Sequence, residues 1–128
     1  MSRLRRSGCP IASTLDVIGD RWTLVVVRDL LTGKRAFKEF LASPEGIPTN
    51  ILSDRLRRLE TWELIERRAS DDRAGRHVYS LTRKGADLLP VLQELCRWGN
   101  RYVEETWRPP RYFMKEAPGD ALRRLARK

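Results

Sequence analysis

Thr49, Asn50, Ser53 and Arg57 are short hydrogen-bonding groups and a guanidinium set close together in one stretch, residues 46–65. Within it Leu52, Leu56 and Leu59 recur at helical spacing, so they form an apolar stripe, while Asn50, Asp54, Arg57 and Thr61 fall on the opposite face. Hydroxyls, amides and guanidinium groups are donors and acceptors that match base edges. A helix of about four turns that packs leucines inward and presents such groups outward suits the DNA major groove, which admits a helix. Taken alone, the same pattern also describes an ordinary solvated helix face.

A second residue offers chemistry of another kind. Cys9 stands before Pro10 at the expected start of a helix, where unpaired amides and the helix dipole favour an anion, and Arg3, Arg5 and Arg6 are close in sequence. Both effects favour the thiolate, the form that reacts with oxidants and electrophiles, which makes Cys9 a candidate sensor. The competing reading is a small packing residue, as free cysteines usually are. Cys96 lacks these features and is expected to pack inside a long helix. Two cysteines are too few for a disulfide framework, and the single histidine, His77, has no cysteine pair at ligand spacing, so no metal site is expected. The eight glycines form no phosphate-cradling pattern and His77 has no neighbouring nucleophile, so neither a cofactor nor an enzymatic activity is expected.

The 128 residues, 41% of them hydrophobic, suit one small domain with one core. No apolar run approaches the ~20 residues of a membrane span, and the basic start is not followed by a signal-peptide core, which points to the cytoplasm. Lysine and arginine number 26 against 17 acidic residues, a formal net charge of +9. The excess sits in residues 1–8, in residues 34–84 and after residue 107, and a polyanion is the natural partner for such a field. Simple solubility is the alternative.

The elements that must position these groups follow in order. Residues 10–18 read as a first helix with proline at its start, and Asp20 can cap a second, central helix over 21–32 that Gly33 stops. A short helix over 36–42 with Phe37, Phe40 and Leu41 inward, a turn over 43–46 and the helix that follows compose a helix-turn-helix. After Trp62 the period changes to two, with turn formers over 70–75 and a second alternating run over 77–82, which is a β-hairpin wing. Its basic tip residues Arg73 and Arg76 would reach phosphates or the minor groove. A long helix from Thr82 to about Trp107, bent at Pro90, carries a seam of Leu88, Leu92, Leu95 and Tyr102 with Trp98 alongside, expected to pair with a second copy of the chain. Domain 9–107 is thus followed by a basic tail, 108–128, in which Pro118-Gly119-Asp120 can cap a short basic helix over 121–128 and whose role is open between a disordered segment, an extra phosphate contact and part of a dimer.

Particular residues carry a family resemblance from Cys9 to Tyr102. They are Cys9-Pro10, the run from Leu15 to Gly19 with Trp22, Gly33 with Arg35 and Phe37, Gly46-Ile47, Leu52, Arg55-Leu56, Leu59-Glu60, Leu64-Ile65, the run from Tyr79 to Thr82 with Gly85, and Trp98-Gly99. With the order of elements, the chain resembles the HxlR family of bacterial winged-helix transcriptional regulators. The resemblance implies a DNA-binding homodimer joined through its terminal helices, with no enzymatic activity and often an N-terminal sensor cysteine. Pro48 stands where the family usually has a polar cap, and Glu63 where a glycine usually ends the recognition helix.

The combined expectation is a mainly α winged helix-turn-helix with a β-hairpin wing that binds double-stranded DNA sequence-specifically as a homodimer and represses transcription. Base contacts fall to Thr49, Asn50, Ser53 and Arg57, because the early turns of a recognition helix lie deepest in the groove. Phosphate contacts fall to Arg35, Lys38, Arg58, Arg73 and Arg76. The alternatives are a winged-helix module that binds protein with the same surfaces and a regulator that responds to a small molecule near its dimer interface.

Overall fold

Proline at the first position starts α1 (Pro10–Ile18), a helix of which only Ile18 is buried. The computed structural model describes residues 6–72 and 74–127. After the break at Gly19 comes α2 (Thr23–Leu31), whose Val26, Val27, Leu30 and Leu31 lie at the centre of the core. The β-branched run in α2 is tolerated because tertiary burial outweighs a weak local propensity.

Helix α3 (Phe37–Leu41) buries Phe40, and α4 (Thr49–Thr61) buries Leu52, Leu56 and Leu59, the stripe expected from sequence. Strands β1 (Ile65–Ala69) and β2 (His77–Leu81) pair antiparallel, with Ile65 opposite Leu81 and Ala69 opposite His77. The Tyr79 amide also donates to the Arg35 carbonyl at 2.8 Å, next to an isolated bridge between Ala36 and Val78. The wing is thereby tied to the strap before α3. The Tyr79 ring meets Phe40 edge-on, with centroids 6.2 Å apart.

The passage from α4 into the wing turns on one residue. Glu63 has φ 63°, the left-handed conformation that a glycine adopts at no steric cost, and the Leu64 amide reaches back to the Leu59 carbonyl at 2.9 Å. Around this turn the Thr82 hydroxyl donates to the Glu63 carbonyl at 2.7 Å and Lys84 Nζ donates to the Trp62 carbonyl at 2.7 Å. Both donors come from the start of α5 (Arg83–Ala86), where Thr82 also caps the helix by accepting from the Gly85 amide.

The long helix expected over 82–107 is two helices. Helix α5 closes at Asp87 and Leu88, and α6 runs from Leu89 to Tyr102 with Pro90 in its first turn. Proline has no amide to extend α5, and a first turn needs none, so the chain restarts a helix here instead of bending one. Helix α6 stops short of Trp107 because Asn100 Nδ2 donates to Thr106 Oγ1 and to the Trp107 carbonyl, both at 2.9 Å, and holds the departing chain.

The basic segment that follows is folded. Helices α7 (Arg111–Lys115) and α8 (Pro118–Ala126) bury Phe113 and Ala121 in the common core. Buried Gln93 on α6 donates to the carbonyls of Phe113 and Glu116 at 2.9 Å, and Arg124 joins Glu116 at 2.7 Å and the Leu31 carbonyl at 2.9 Å. These bonds hold the segment onto α2 and α6.

Two substitutions test the turn after α4. A Cβ on Gly85 would lie 2.1 Å from the Leu64 carbonyl oxygen, so Gly85→Ala destabilises the fold by at least ~1–3 kcal/mol, as overpacking does. Glu63→Gly relieves left-handed strain of ~1–2 kcal/mol, partly offset by glycine entropy, and stabilises by roughly 0.5–1 kcal/mol. Urea unfolding of both variants reads the two signs, and a stable Gly85→Ala or a weakened Glu63→Gly contradicts this account of the turn.

Candidate nucleic-acid interface

Helix α4 exposes Thr49, Asn50, Ser53 and Arg57, opposite its buried leucines. The Arg57 side chain is 71% exposed, with one long contact of 3.4 Å to Asp54. Pro48 precedes the helix and offers no side-chain cap, so its first amides are left to other acceptors. Such a helix start favours a phosphate oxygen, through both the unpaired amides and the dipole.

What aims this face is a set of carboxylates on and just before α2. Asp20 accepts from the amides of Trp22 and Thr23 at 2.8 and 2.9 Å, from the Thr23 hydroxyl, and from Arg55 Nε at 3.0 Å. Arg55 lies on α4, is largely buried, and places its other arm on Asp54. Burial alone would raise the Asp20 carboxyl, but hydrogen bonds from the Thr23 hydroxyl, the Trp22 amide, Arg55 and the Thr23 amide outweigh it and hold it well below the usual carboxylate range.

At the other end of α2, buried Asp29 accepts from Ser43 Oγ at 2.5 Å and from Arg28 Nε and Nη2 at 3.1 and 2.8 Å. Ser43 Oγ in turn accepts from Lys34 Nζ at 2.5 Å. Arg28 continues to Glu45 with a fork of 2.6 and 2.9 Å, and this hydrogen bond lowers the Glu45 carboxyl. Ser43 and Glu45 flank the turn between α3 and α4, so α2 holds that turn from both sides. Gly46 completes the turn at φ 69°, with open space where a Cβ would lie, so backbone conformation is the constraint there.

The residues assigned to phosphates are spread around α4. Lys38 is exposed on α3, and Arg58 is half-buried with Asp54 3.9 Å away. Half-buried Arg35 has its main chain fixed on both sides, its amide donating to Glu39 at 2.7 Å and its carbonyl accepting from Tyr79. Arg76 is half-buried at the entry to β2, its carbonyl accepting from the Ser70 amide at 2.9 Å. Arg73 lies outside the described residues.

The seam on α6 divides. Leu92 is buried in the core and Leu88 packs against it, whereas Leu95, Trp98 and Tyr102 are exposed, with Trp98 and Tyr102 in ring contact at 5.2 Å. Exposed Ile11 and Leu15 on α1 add to the apolar surface. Cys9 is a free, exposed thiol ahead of α1. Arg6, the one arginine of the N-terminal group among the described residues, turns to Asp16 at 2.8 Å and to the Ala12 carbonyl. Cys96 is half-buried, and burial raises its thiol.

Sequence reasoning passed over Arg55 and Asp29 as anchors. Arg55 stood out only as one of the residues carrying the family resemblance, because on a helical wheel an arginine beside the leucine stripe looks like any flanking charge. A pH titration tests the Asp20 anchor. Its depressed carboxyl contributes stability above the ordinary range near pH ~4, and that stability is lost as pH falls further. Asp20→Asn therefore costs ~1–3 kcal/mol at neutral pH. The difference from the wild type narrows as acid protonates Asp20, and a deficit that is constant across the acid range contradicts this anchor.

The HxlR-like helix-turn-helix family model matches residues 17–107. The chain is similar to the HTH-type transcriptional regulator MT3179 of Mycobacterium tuberculosis, 37% identical over 106 residues that cover 83% of this chain and 66% of that protein. It therefore spans slightly under two thirds of the length of that relative. Among solved structures, PA1607 is 32% identical with a TM-score of 0.71, covering 84% of this chain and 83% of that one. The redox regulator HypR in its oxidized form is 31% identical with a TM-score of 0.67, covering 75% and 99%.

Proposed function

The chain belongs to the HxlR-like helix-turn-helix family, and from that premise we propose that it binds double-stranded DNA sequence-specifically as a homodimer and represses transcription. The observation that carries the reading is the exposed row Thr49, Asn50, Ser53 and Arg57 on a helix held to the two ends of α2, through Arg55 at its middle and through Ser43 in the turn before it. A groove reader needs such a rigid mount, because base-edge hydrogen bonds tolerate little displacement. Arg35, Lys38, Arg58, Arg73 and Arg76 supply phosphate contacts around it. No helix among the described residues is long and apolar enough to cross a membrane, consistent with work in the cytoplasm.

The homodimer rests on the exposed Leu95, Trp98 and Tyr102 of α6 together with Ile11 and Leu15 of α1. Apolar patches of this kind mark protein contacts, and a two-fold pair would set two copies of α4 on successive turns of one groove face. Cys9 is the sensor in this reading. Its thiol is exposed next to α1, and the structural relative HypR is a redox regulator. Modification of Cys9 would displace α1 within the dimer and so change the spacing of the two α4 helices.

One anisotropy titration tests the reading, using a duplex selected from genomic DNA by the protein and a random duplex of equal length. The wild type binds the selected duplex with two protomers per site, and Arg57→Ala loses ~1–3 kcal/mol there with little change on the random duplex. Treatment with a mild oxidant weakens the wild type and Cys96→Ser but not Cys9→Ser. Equal losses on both duplexes would move Arg57 to the phosphate class. An unchanged oxidant response in Cys9→Ser would remove the sensor, and failure of the wild type to prefer any duplex would overturn the whole reading.

A further inference from the structure

A cavity of about 360 Å³ lies between the wing and the C-terminal helix, and of its walls only the one from α8 is outside the segment that the family model matches. Its apolar wall comes from Leu30, Leu81, Leu122 and Leu125, and its polar lining includes Lys34, Arg35, Arg68 and Ser80. No carboxylate lines it. The volume is at the small end of the range for ligand pockets, which are typically apolar with a few placed polar groups.

The three cations differ in availability. Lys34 is engaged by Ser43 and lies 3.9 Å from Asp29, so its charge is offset. Arg35 and Arg68 form no ion pair among the described residues. Glu39, the acid nearest to Arg35 in sequence, directs one carboxylate oxygen to the amides of Arg35 and Ala36 at 2.7 and 2.9 Å. Against the two guanidinium groups stand the carbonyl ends of α2 and α8, worth roughly half a charge each. Two full charges outweigh these half charges, and the Glu39 carboxylate, which feels both Lys34 and Arg35, offsets part of the Arg35 charge. A guanidinium matches a planar carboxylate by two parallel bonds, which a hydrated ammonium cannot do.

We propose that this cavity binds a small amphipathic carboxylate, its head on Arg35 and Arg68 and its apolar body against Leu30, Leu81, Leu122 and Leu125. The ligand is a monoanion with a short aliphatic or aromatic body. A consequence that rests on the nucleic-acid reading above is that an occupied cavity withdraws Arg35 from phosphates and weakens duplex binding several-fold. Helix α8 supplies one wall, so this chain's C-terminal segment makes the site.

The test is an amide-resolved NMR titration of the full chain with octanoate, repeated with octanol and octylammonium as uncharged and cationic controls. Octanoate shifts the amides of Arg35, Ser80, Leu122 and Leu125 saturably, and the two controls do not. Arg35→Gln with Arg68→Gln weakens octanoate at least tenfold. Ala126→Trp, which fills the mouth from an exposed lining position and keeps both arginines, weakens it likewise. Equal binding of octanol, unchanged affinity in the double variant, or shifts that never saturate would each overturn the site. Duplex titration of the same samples separates the two readings: a protein that binds its duplex but not octanoate loses this site alone, and one that binds octanoate but no duplex retains it and loses the other.

Discussion

The buried carboxylate of Asp29 is the constraint on which the presentation of α4 depends. A carboxylate taken out of water costs several kcal/mol unless its lone pairs are satisfied, and here Ser43 and Arg28 satisfy them. The requirement works in both directions: the α3–α4 turn supplies partners to Asp29, and Asp29 fixes where that turn can be. Arg28 extends the hold to Glu45, and Asp20 repeats it at the other end through Arg55. An apolar contact of the same area would be as favourable but would allow α4 to slide or rotate, since dispersion is non-directional. Direction is what a helix that reads a groove requires.

The wing is fixed by different means. Its strands are short, β1 largely exposed and β2 largely half-buried, with only Ile65 and Leu81 buried, so the hairpin by itself would be marginal. The main-chain bond from Tyr79 to Arg35, the edge contact with Phe40 and the bonds from Thr82 and Lys84 to the end of α4 make it part of the domain. The last two join the end of α4 to the start of α5, so helix and wing would approach a duplex as one body. The C-terminal helices complete this body through Phe113, Ala121 and Arg124.

Periodicity made most of the frame legible. The leucines of α4 and the alternation on either side of residues 70–75 each impose one period, and that period is what burial needs, so helix, hairpin and their order could be read directly. The resemblance singled out Glu63 as a glycine position, which its left-handed φ explains. Where competing signals met, sequence was less informative. Pro90 within a helical seam reads as a kink or as a new start, and only the packing of Leu89 and Leu92 into the core decides for the start. The same seam conceals that Leu92 faces inward while Leu95 and Trp98 face out, because positions three apart are separable only once a neighbour occupies one side. Pro118 to Asp120 marked a helix start in the tail, but basic residues hid its packing: Phe113 and Ala121 are two anchors among seven cations after residue 107, too few to mark a packed face. Polar anchors such as Asp29 have no period at all, since their partners come from distant positions in the chain.

The central claim is that α4, held by α2, is the surface that meets DNA, with the wing beside it. The most direct measurement is an amide-resolved NMR map of the protein with a selected duplex at moderate salt. The account predicts the largest perturbations at Thr49, Asn50, Ser53 and Arg57, with smaller ones along β1 and β2, and undisturbed signals for Asp29 and Ser43. Perturbations centred on α1 and α6, with α4 unchanged, would contradict it.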